Sequence, residues 1–336
     1  MSHTQTLKLS VFEQFLSRLA LMLNPEKLIK ATAPPLAAML VFLMIWSAGA
    51  QQIQTSLGAF PGPAQVWEQT TSLWQEHQAE RQKAVAFYER LQKRIDKAVA
   101  AGKPAEKIER LKNRRYTGKE TFVDQVFTSL GTVATGFLLA SLIAIPLGIL
   151  IGMNNMLYSA FNPIIQLLKP VSPLAWLPLV TMVVSAVYVS TDPLFSKSFV
   201  TSAITVTLCC LWPTIINTAV GVAGVDKDLI NVSRVLRLGW LTKTVKIVLP
   251  SSIPMMFTGL RLSLGIGWMV LIAAEMLAQN PGLGKFVWDE FQNGSSNSLA
   301  RIMVAVIAIG AIGFLLDRGM LSLQKIVSWD KNAVLR

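Results

Sequence analysis

Asn231–Pro250 reads NVSRVLRLGWLTKTVKIVLP, and the fold turns on what this stretch is. It is basic and apolar at once. Arg234, Arg237, Lys243 and Lys246 carry charge, while Leu236, Leu238, Trp240 and Leu241 offer apolar contact. Apolar runs flank it at about 199–222 and 253–277. Each is long enough to cross roughly 30 Å of hydrocarbon. A loop of this kind between two spans either touches a soluble partner or rests as an amphipathic helix on the lipid surface.

Working outward, further apolar runs lie at about 36–50, 126–152, 174–189 and 300–321. The first is short for a bilayer and opens at Pro34-Pro35. Ala48-Gly49-Ala50 imitates a signal-peptidase site, but the polar stretch ahead of the run is long for a signal peptide, so an uncleaved span is expected. Of 336 residues, 52% are hydrophobic and 15% charged, and mean hydropathy is +0.47. That composition belongs to an integral membrane protein. The expected class is all-α and polytopic, with about six transmembrane helices.

The formal charge of +12 does not point to nucleic acid, because the basic residues are spread between apolar spans. Six spans put both termini on one side, together with the 227–246 loop. Their Lys and Arg then mark that side as cytoplasmic. The expected organisation is a cytoplasmic segment over 1–33, a first span over 34–52 and an extracytoplasmic helical insertion over 53–120. A five-span core over 121–322, with its loop at 223–250, and a cytoplasmic tail over 323–336 complete it. In the first segment Val11–Leu23 suits a short amphipathic helix. In the insertion, helical spacing over 64–101 and 105–115 flanks Gly102-Lys103-Pro104, predicting a hairpin. Long loops largely escape the positive-inside bias, so its basic residues do not contradict this topology.

Enzyme chemistry has little support. The two histidines, His3 and His77, lie in polar segments, and Cys209-Cys210 sits inside an apolar run as small core residues. There is no metal-ligand spacing, no nucleophile motif and no phosphate-binding Gly-rich loop followed by Lys-Ser or Lys-Thr.

Small residues recur every fourth position within two spans: Ala140, Ala144, Gly148 and Gly152, then Gly259, Ser263 and Gly267. Such stripes let helix backbones approach closely in lipid. Pro146, Pro178 and Pro213 interrupt apolar runs and are expected to kink them. Lys169-Pro170-Val171-Ser172-Pro173-Leu174-Ala175-Trp176-Leu177-Pro178-Leu179 is too proline-rich for a regular helix. Irregular backbone at membrane depth is buried in protein or lines a wet cavity. Lys169, Pro173 and Trp176 are therefore candidates to line a pathway. Arg261 and Glu275 join them, as ionisable groups within a span. Snorkelling to the interface for Arg261, and an interfacial or structural role for Glu275, are the plainer alternatives.

These stretches together carry a family resemblance. Lys169–Leu179, Trp212-Pro213-Thr214-Ile215-Ile216-Asn217-Thr218-Ala219-Val220-Gly221-Val222, Ala273-Ala274-Glu275-Met276-Leu277 and Asn280-Pro281-Gly282-Leu283-Gly284 follow in order. They resemble the nitrate/sulfonate/bicarbonate/taurine branch of type I ABC importer permeases, and nitrate permeases most. The opening stretch resembles that family's cytoplasmic signature, Glu-Ala-Ala, three residues, Gly, nine residues, Ile-x-Leu-Pro. Asn231, Val232 and Ser233 stand at Glu-Ala-Ala, Arg237 at the Gly, and Ile247, Leu249 and Pro250 match. Because the Gly is replaced, either Gly239 supplies the turn or the loop bends differently.

The resemblance implies a transport subunit that binds no cofactor itself. Its partners would be a second copy of the chain in a homodimer, membrane lipid, an extracytoplasmic solute-binding protein and cytoplasmic ATPases holding ATP and Mg. It implies a multi-pass protein of the bacterial inner membrane, carrying a small anion: nitrate first, with bicarbonate, cyanate or a sulfonate as alternatives. The signature residues, with Arg234, Leu236, Leu238, Gly239 and Trp240, would couple to the ATPase. Two other classes stand beside it. An ATP-independent secondary transporter is expected to show an inverted repeat, which the sequence does not display. A membrane scaffold gives no reason for spans broken by proline.

Overall fold

The computed structural model describes residues 25–55, 58–189, 194–295 and 297–327, with side chains from residue 33 onward. The expected helix at Val11–Leu23 and the tail beyond 327 lie outside the described residues. Among the described residues the regular structure is helical apart from one two-residue β-pairing, Gln54–Thr55 (β1) with Gly58–Ala59 (β2).

The chain divides into two compact units at Trp67. The first contains α1 (Pro25–Gln52), whose stretch 33–52 is apolar enough to span a membrane. Pro34 and Pro35 fall inside α1 instead of opening it. Leu36, Leu40, Phe42, Met44 and Ile45 are exposed, as suits a helix solvated by lipid. Past the β-pairing, the Trp46 indole N–H donates to the Pro61 carbonyl at 3.2 Å and ties the turn back to the span.

α2 (Pro63–Ala100) runs through the unit boundary. The second unit holds most of α2 and everything after it. Gly102, at φ +61, turns the chain into α3 (Ala105–Lys112). Then follow α4 (Phe122–Met153), α5 (Asn155–Leu168), α6 (Pro173–Val187) and α7 (Lys197–Ala223). A short α8 (Lys227–Val235) and a single turn α9 (Trp240–Lys243) lead through a π segment, Thr244–Val248, into α10 (Leu249–Ala278). α11 (Leu283–Asn293) and α12 (Ser298–Val327) close the chain.

Among the described residues five helices are long and apolar enough to cross a membrane, or six if the bent pair α5–α6 counts as one span. The third span thus differs from the expected 174–189. α6 has 15 residues, about 22 Å of helix, too short alone. α5 precedes it at a bend of 99°. The bend falls at Lys169–Ser172, where Pro170 and Pro173 withhold two backbone donors. Pro146, Pro178 and Pro213 sit within continuous helices, so they end no element.

α7 is the centre of the core, packed by α4 on one flank and α10 on the other. The two small-residue stripes make both contacts. A Cβ on Gly148 would lie 2.7 Å from Thr218 Cβ, and one on Gly152 2.6 Å from the Ala219 carbonyl. On the other flank, a Cβ on Gly259 would lie 2.7 Å from Asn217 Cβ, and one on Gly267 2.5 Å from Cys210 Sγ. Ser263 Oγ donates to the Cys210 carbonyl at 2.6 Å. Helices this close gain dispersion contacts that lipid does not supply. Val133, Val206, Leu264, Trp268, Leu271 and Leu283 fill the rest of the centre.

Candidate functional site

The site begins at α8. Asp226 caps it by accepting from the Asp228 N–H at 2.8 Å. At its other end Leu238 N–H reaches the Ser233 carbonyl and Arg237 N–H the Arg234 carbonyl, each at 3.0 Å. That pair of bonds is a Schellman motif, which needs one residue in left-handed space. The residue is Arg237, at φ +50. Gly239 has φ −62 and does not take over the turn. The position where the resembled family keeps Gly is therefore the one that bends left, and here an arginine bears it.

The 223–250 stretch is also less of a loop than expected. Trp240 already starts a helix that continues through Ala278. Half-buried Ile247 and Leu249, with Pro250, belong to the root of the span. Pro250 offers no N–H to the Lys246 carbonyl, and the turn ahead of it widens into the π segment.

α8 has two distinct faces. Leu229, Val232, Val235 and Leu236 are exposed, Val235 at 82% and Leu236 at 62%. Asn231 and Arg234 line a pocket on the opposite side, with Lys227 and Ile230. Ser233 is buried and donates to the Ile230 carbonyl. Leu238 is half-buried and Trp240 exposed. Val232 was among the expected coupling residues, but Val235 was missed from sequence, because only the helix boundaries reveal which residues share a face.

The far end of α10 holds Glu275, 0% exposed. Its carboxylate accepts from Ser129 Oγ of α4 at 2.8 and 2.9 Å and from the Gly284 N–H at 3.0 Å. Ser129 Oγ also accepts from the Leu283 N–H at 2.9 Å, and Asn280 Nδ2 donates to Thr132 Oγ1 at 3.3 Å. A Cβ on Gly282 would collide with the Glu275 carboxylate, and one on Gly284 with the Ile272 carbonyl. Asn280–Gly284 is thus wrapped around a buried acid, and Glu275 faces no opening in this chain.

Arg261 on α10 pairs with Asp317 on α12, with one contact at 2.9 Å. Asp317 was missed, since nothing in a linear reading matches it to Arg261. At the α5–α6 bend Lys169 is exposed and caps α5. Ser172 caps α6 by accepting from the Leu174 N–H at 3.3 Å, and Pro173 occupies the first turn, where its missing donor costs nothing. Trp176 is partly buried against the central cluster. Lys169, Pro173 and Trp176 share this bend, while Arg261 and Glu275 lie on α10 and are not brought to it.

The insertion is fixed to the core by polar contacts. Arg301, in the first turn of α12, donates to Glu290 at 3.0 Å and also pairs with Glu76 of α2. Arg81 pairs with Asp124 at 2.9 Å, and His77 Nδ1 meets Thr121 Oγ1 at 2.7 Å. Tyr116 donates to Glu80 at 2.7 Å, which holds that carboxyl below its ordinary pKa and pushes the phenol up.

Comparison with known proteins defines the class. Residues 144–328 match the family described as binding-protein-dependent transport system inner membrane component. A chain of the inward-facing MetNI methionine ABC transporter superposes with a TM-score of 0.54 at 13% identity, covering 61% of this chain and 95% of that one. The fold is that of type I ABC importer permeases. The chain belongs to the matched family, as a multi-pass inner-membrane permease component. Among its relatives, the nitrate import permease protein NrtB of Synechocystis is 40% identical over 60% of this chain and 69% of its own length. The bicarbonate transport system permease protein CmpB of Synechococcus elongatus is 34% identical over 87% of each. The match to NrtB of Leptolyngbya laminosa is 39% identical over 57% of this chain and 64% of that protein.

Proposed function

We propose that the chain is the permease subunit of an ATP-driven importer for a small inorganic oxyanion, nitrate before bicarbonate. The observation that carries this is α8: an apolar face exposed among the described residues, between two spans, in a family of binding-protein-dependent permeases. A helix that exposes Leu229, Val232, Val235 and Leu236 supports docking into a groove on a soluble subunit. That subunit is the ATPase, which holds ATP and Mg. Two copies of the permease form the pathway, and α8 and both termini face the cytoplasm. The insertion faces outward, where a solute-binding protein delivers the anion.

ATP-driven closure of the ATPase pair moves α8. The continuous helix from Trp240 to Ala278 carries that motion through the bilayer. Lys169, at the α5–α6 bend, supplies positive potential to the anion near the cytoplasmic mouth, with Pro173 and Trp176 beside it. Arg261 is neutralised by Asp317 and Glu275 is enclosed, so both shape the spans around the pathway.

Nitrate is placed first on the Trp212–Val222 stretch and on the NrtB relatives. The longer alignment with CmpB, 294 residues, supports bicarbonate as the second reading. Reconstitution with the partner ATPase and binding protein tests both. Nitrate-loaded binding protein should stimulate ATP hydrolysis and nitrate uptake. Stimulation by bicarbonate alone would reassign the substrate, and stimulation by neither would end the reading of a nitrate or bicarbonate importer.

A further inference from the structure

Beneath α8 lies a pocket of about 500 Å³ that the docking role leaves unused. Its walls are the ends of two spans, at Gly152–Met153 and Val222–Ala223, and the root of a third at Lys243 and Val248. Lys227, Arg234 and Lys243 bring three cations to it, and Asn155 and Asn231 bring two amides. Among the described residues no carboxylate lines it. Asp226 and Asp228 flank Lys227 in the chain but lie outside the lining, and Asp226 is engaged as the α8 cap. Among the described residues none of the three cations forms an ion pair.

We infer that this pocket binds a phosphate group. Three like charges converging on one cavity repel each other, and a bound anion relieves that repulsion. The amides add neutral donors. The volume exceeds what a four-atom oxyanion needs and suits a phosphate with its substituents. The pocket sits where span ends meet the loop, the depth at which headgroup phosphates lie, and basic pockets between span ends bind such groups. The phosphate comes from an anionic phospholipid or from solution; the chemistry is shared. Lys227, Asn231 and Arg234 face the pocket from the side of α8 opposite Leu229, Val232 and Leu236. Anion binding and ATPase docking therefore use different faces of one helix. A bound phosphate ties α8 to the ends of α4 and α7 and limits how far it swings. Placement at the cytoplasmic surface rests on the topology proposed above, but the binding itself does not.

The test uses the full-length chain in nanodiscs. One arm compares phosphatidylcholine alone with phosphatidylcholine containing phosphatidylglycerol, and counts retained anionic lipid by native mass spectrometry. The other titrates inorganic phosphate in phosphatidylcholine nanodiscs by calorimetry. Saturable binding is expected in at least one arm, and the arm that responds identifies the source. Lys227→Gln with Lys243→Gln should weaken it about 30-fold. Asn155→Asp places a carboxylate at the first residue of α5, where the helix dipole favours it, and should abolish binding by occupying the pocket. Lys246→Gln, outside the lining, should change nothing. No saturable binding in either arm, or binding equally tight in all variants, overturns the assignment. Nitrate uptake reads the importer proposal separately, so absence of binding in both arms with intact uptake removes the phosphate site alone.

Discussion

Glu275, in the last turn of α10, and Leu236, at the end of α8 just ahead of the helix that runs from Trp240 to Ala278, meet opposite fates. Glu275 is an ionisable group within a span, yet it is enclosed and paired with two donors that belong to this chain. Leu236 is apolar, yet it is exposed with Val232 and Val235 beside it. A buried polar group with every partner supplied internally is a structural device. An exposed apolar group with none supplied marks an interface. Ionisable groups in spans are functional candidates by default; here the acid closes the fold, and the ordinary hydrophobes carry the argument for function.

The largest effect should fall on the exposed end. Val232→Asp with Leu236→Asp puts two charges where a groove would desolvate them. At about 2 kcal/mol or more for each anchor, the ATPase should bind about 1,000-fold more weakly. The spans should still fold, because neither residue is buried. Co-purification of the ATPase with the variant in detergent is the measurement. An intact complex would break the comparison, since the exposed face would then have no docking role.

Next comes the enclosed end. Glu275→Ala removes the acceptor shared by Ser129 and Gly284 and leaves a hole between α4, α10 and α11. A loss of about 3 kcal/mol in stability is expected, from hydrogen bonds and cavity together. ATPase binding should persist in whatever fraction stays folded. Thermal unfolding in detergent reads the first, and pull-down reads the second. Unchanged stability would mean the Glu275 network is incidental.

Between the two ends sits Arg261–Asp317, with side chains 31% and 35% exposed. A double-mutant cycle through Arg261→Gln and Asp317→Asn should give a coupling of about 1 kcal/mol, the scale of a half-exposed pair. A coupling near zero, with transport lost in Arg261→Gln alone, would return Arg261 to the pathway.

These contrasts also show what a linear reading yields. Long apolar runs, the helices on either side of Gly102-Lys103-Pro104 and the basic-apolar segment were legible because each is local: its signal is periodicity or composition within a few turns. The small-residue stripes were legible for the same reason. What was hidden is pairwise and distant. Glu275 finds Ser129, 146 residues away, and Arg261 finds Asp317, 56 residues away. The bent third span was half missed because α5 carries polar residues Asn155, Asn162 and Gln166 that dilute its apolar run. The two faces of α8 required knowing that it starts at Lys227 and stops at Val235.

The smallest expected effect is the sharpest test of local chemistry, at Arg237. Left-handed backbone costs an L-residue about 1 kcal/mol, because Cβ crowds the following carbonyl. Arg237→Gly removes that cost but adds chain entropy to the unfolded state, which offsets part of the gain. The net should be a stabilisation of a few tenths of a kcal/mol, with ATPase binding retained, because Arg237 lies past the end of α8 and Leu236 keeps its place. Arg237→Val should go the other way and loosen the Leu238–Ser233 bond, since a β-branched residue resists this region most. Gly239→Ala is the control: its φ of −62 suits any residue and a Cβ there meets nothing within 4 Å. Hydrogen exchange at the Arg237 and Leu238 amides distinguishes the three. If Gly239→Ala opened the turn and Arg237→Gly did not tighten it, Gly239 would carry the bend, and α8 would present a different face from the one described.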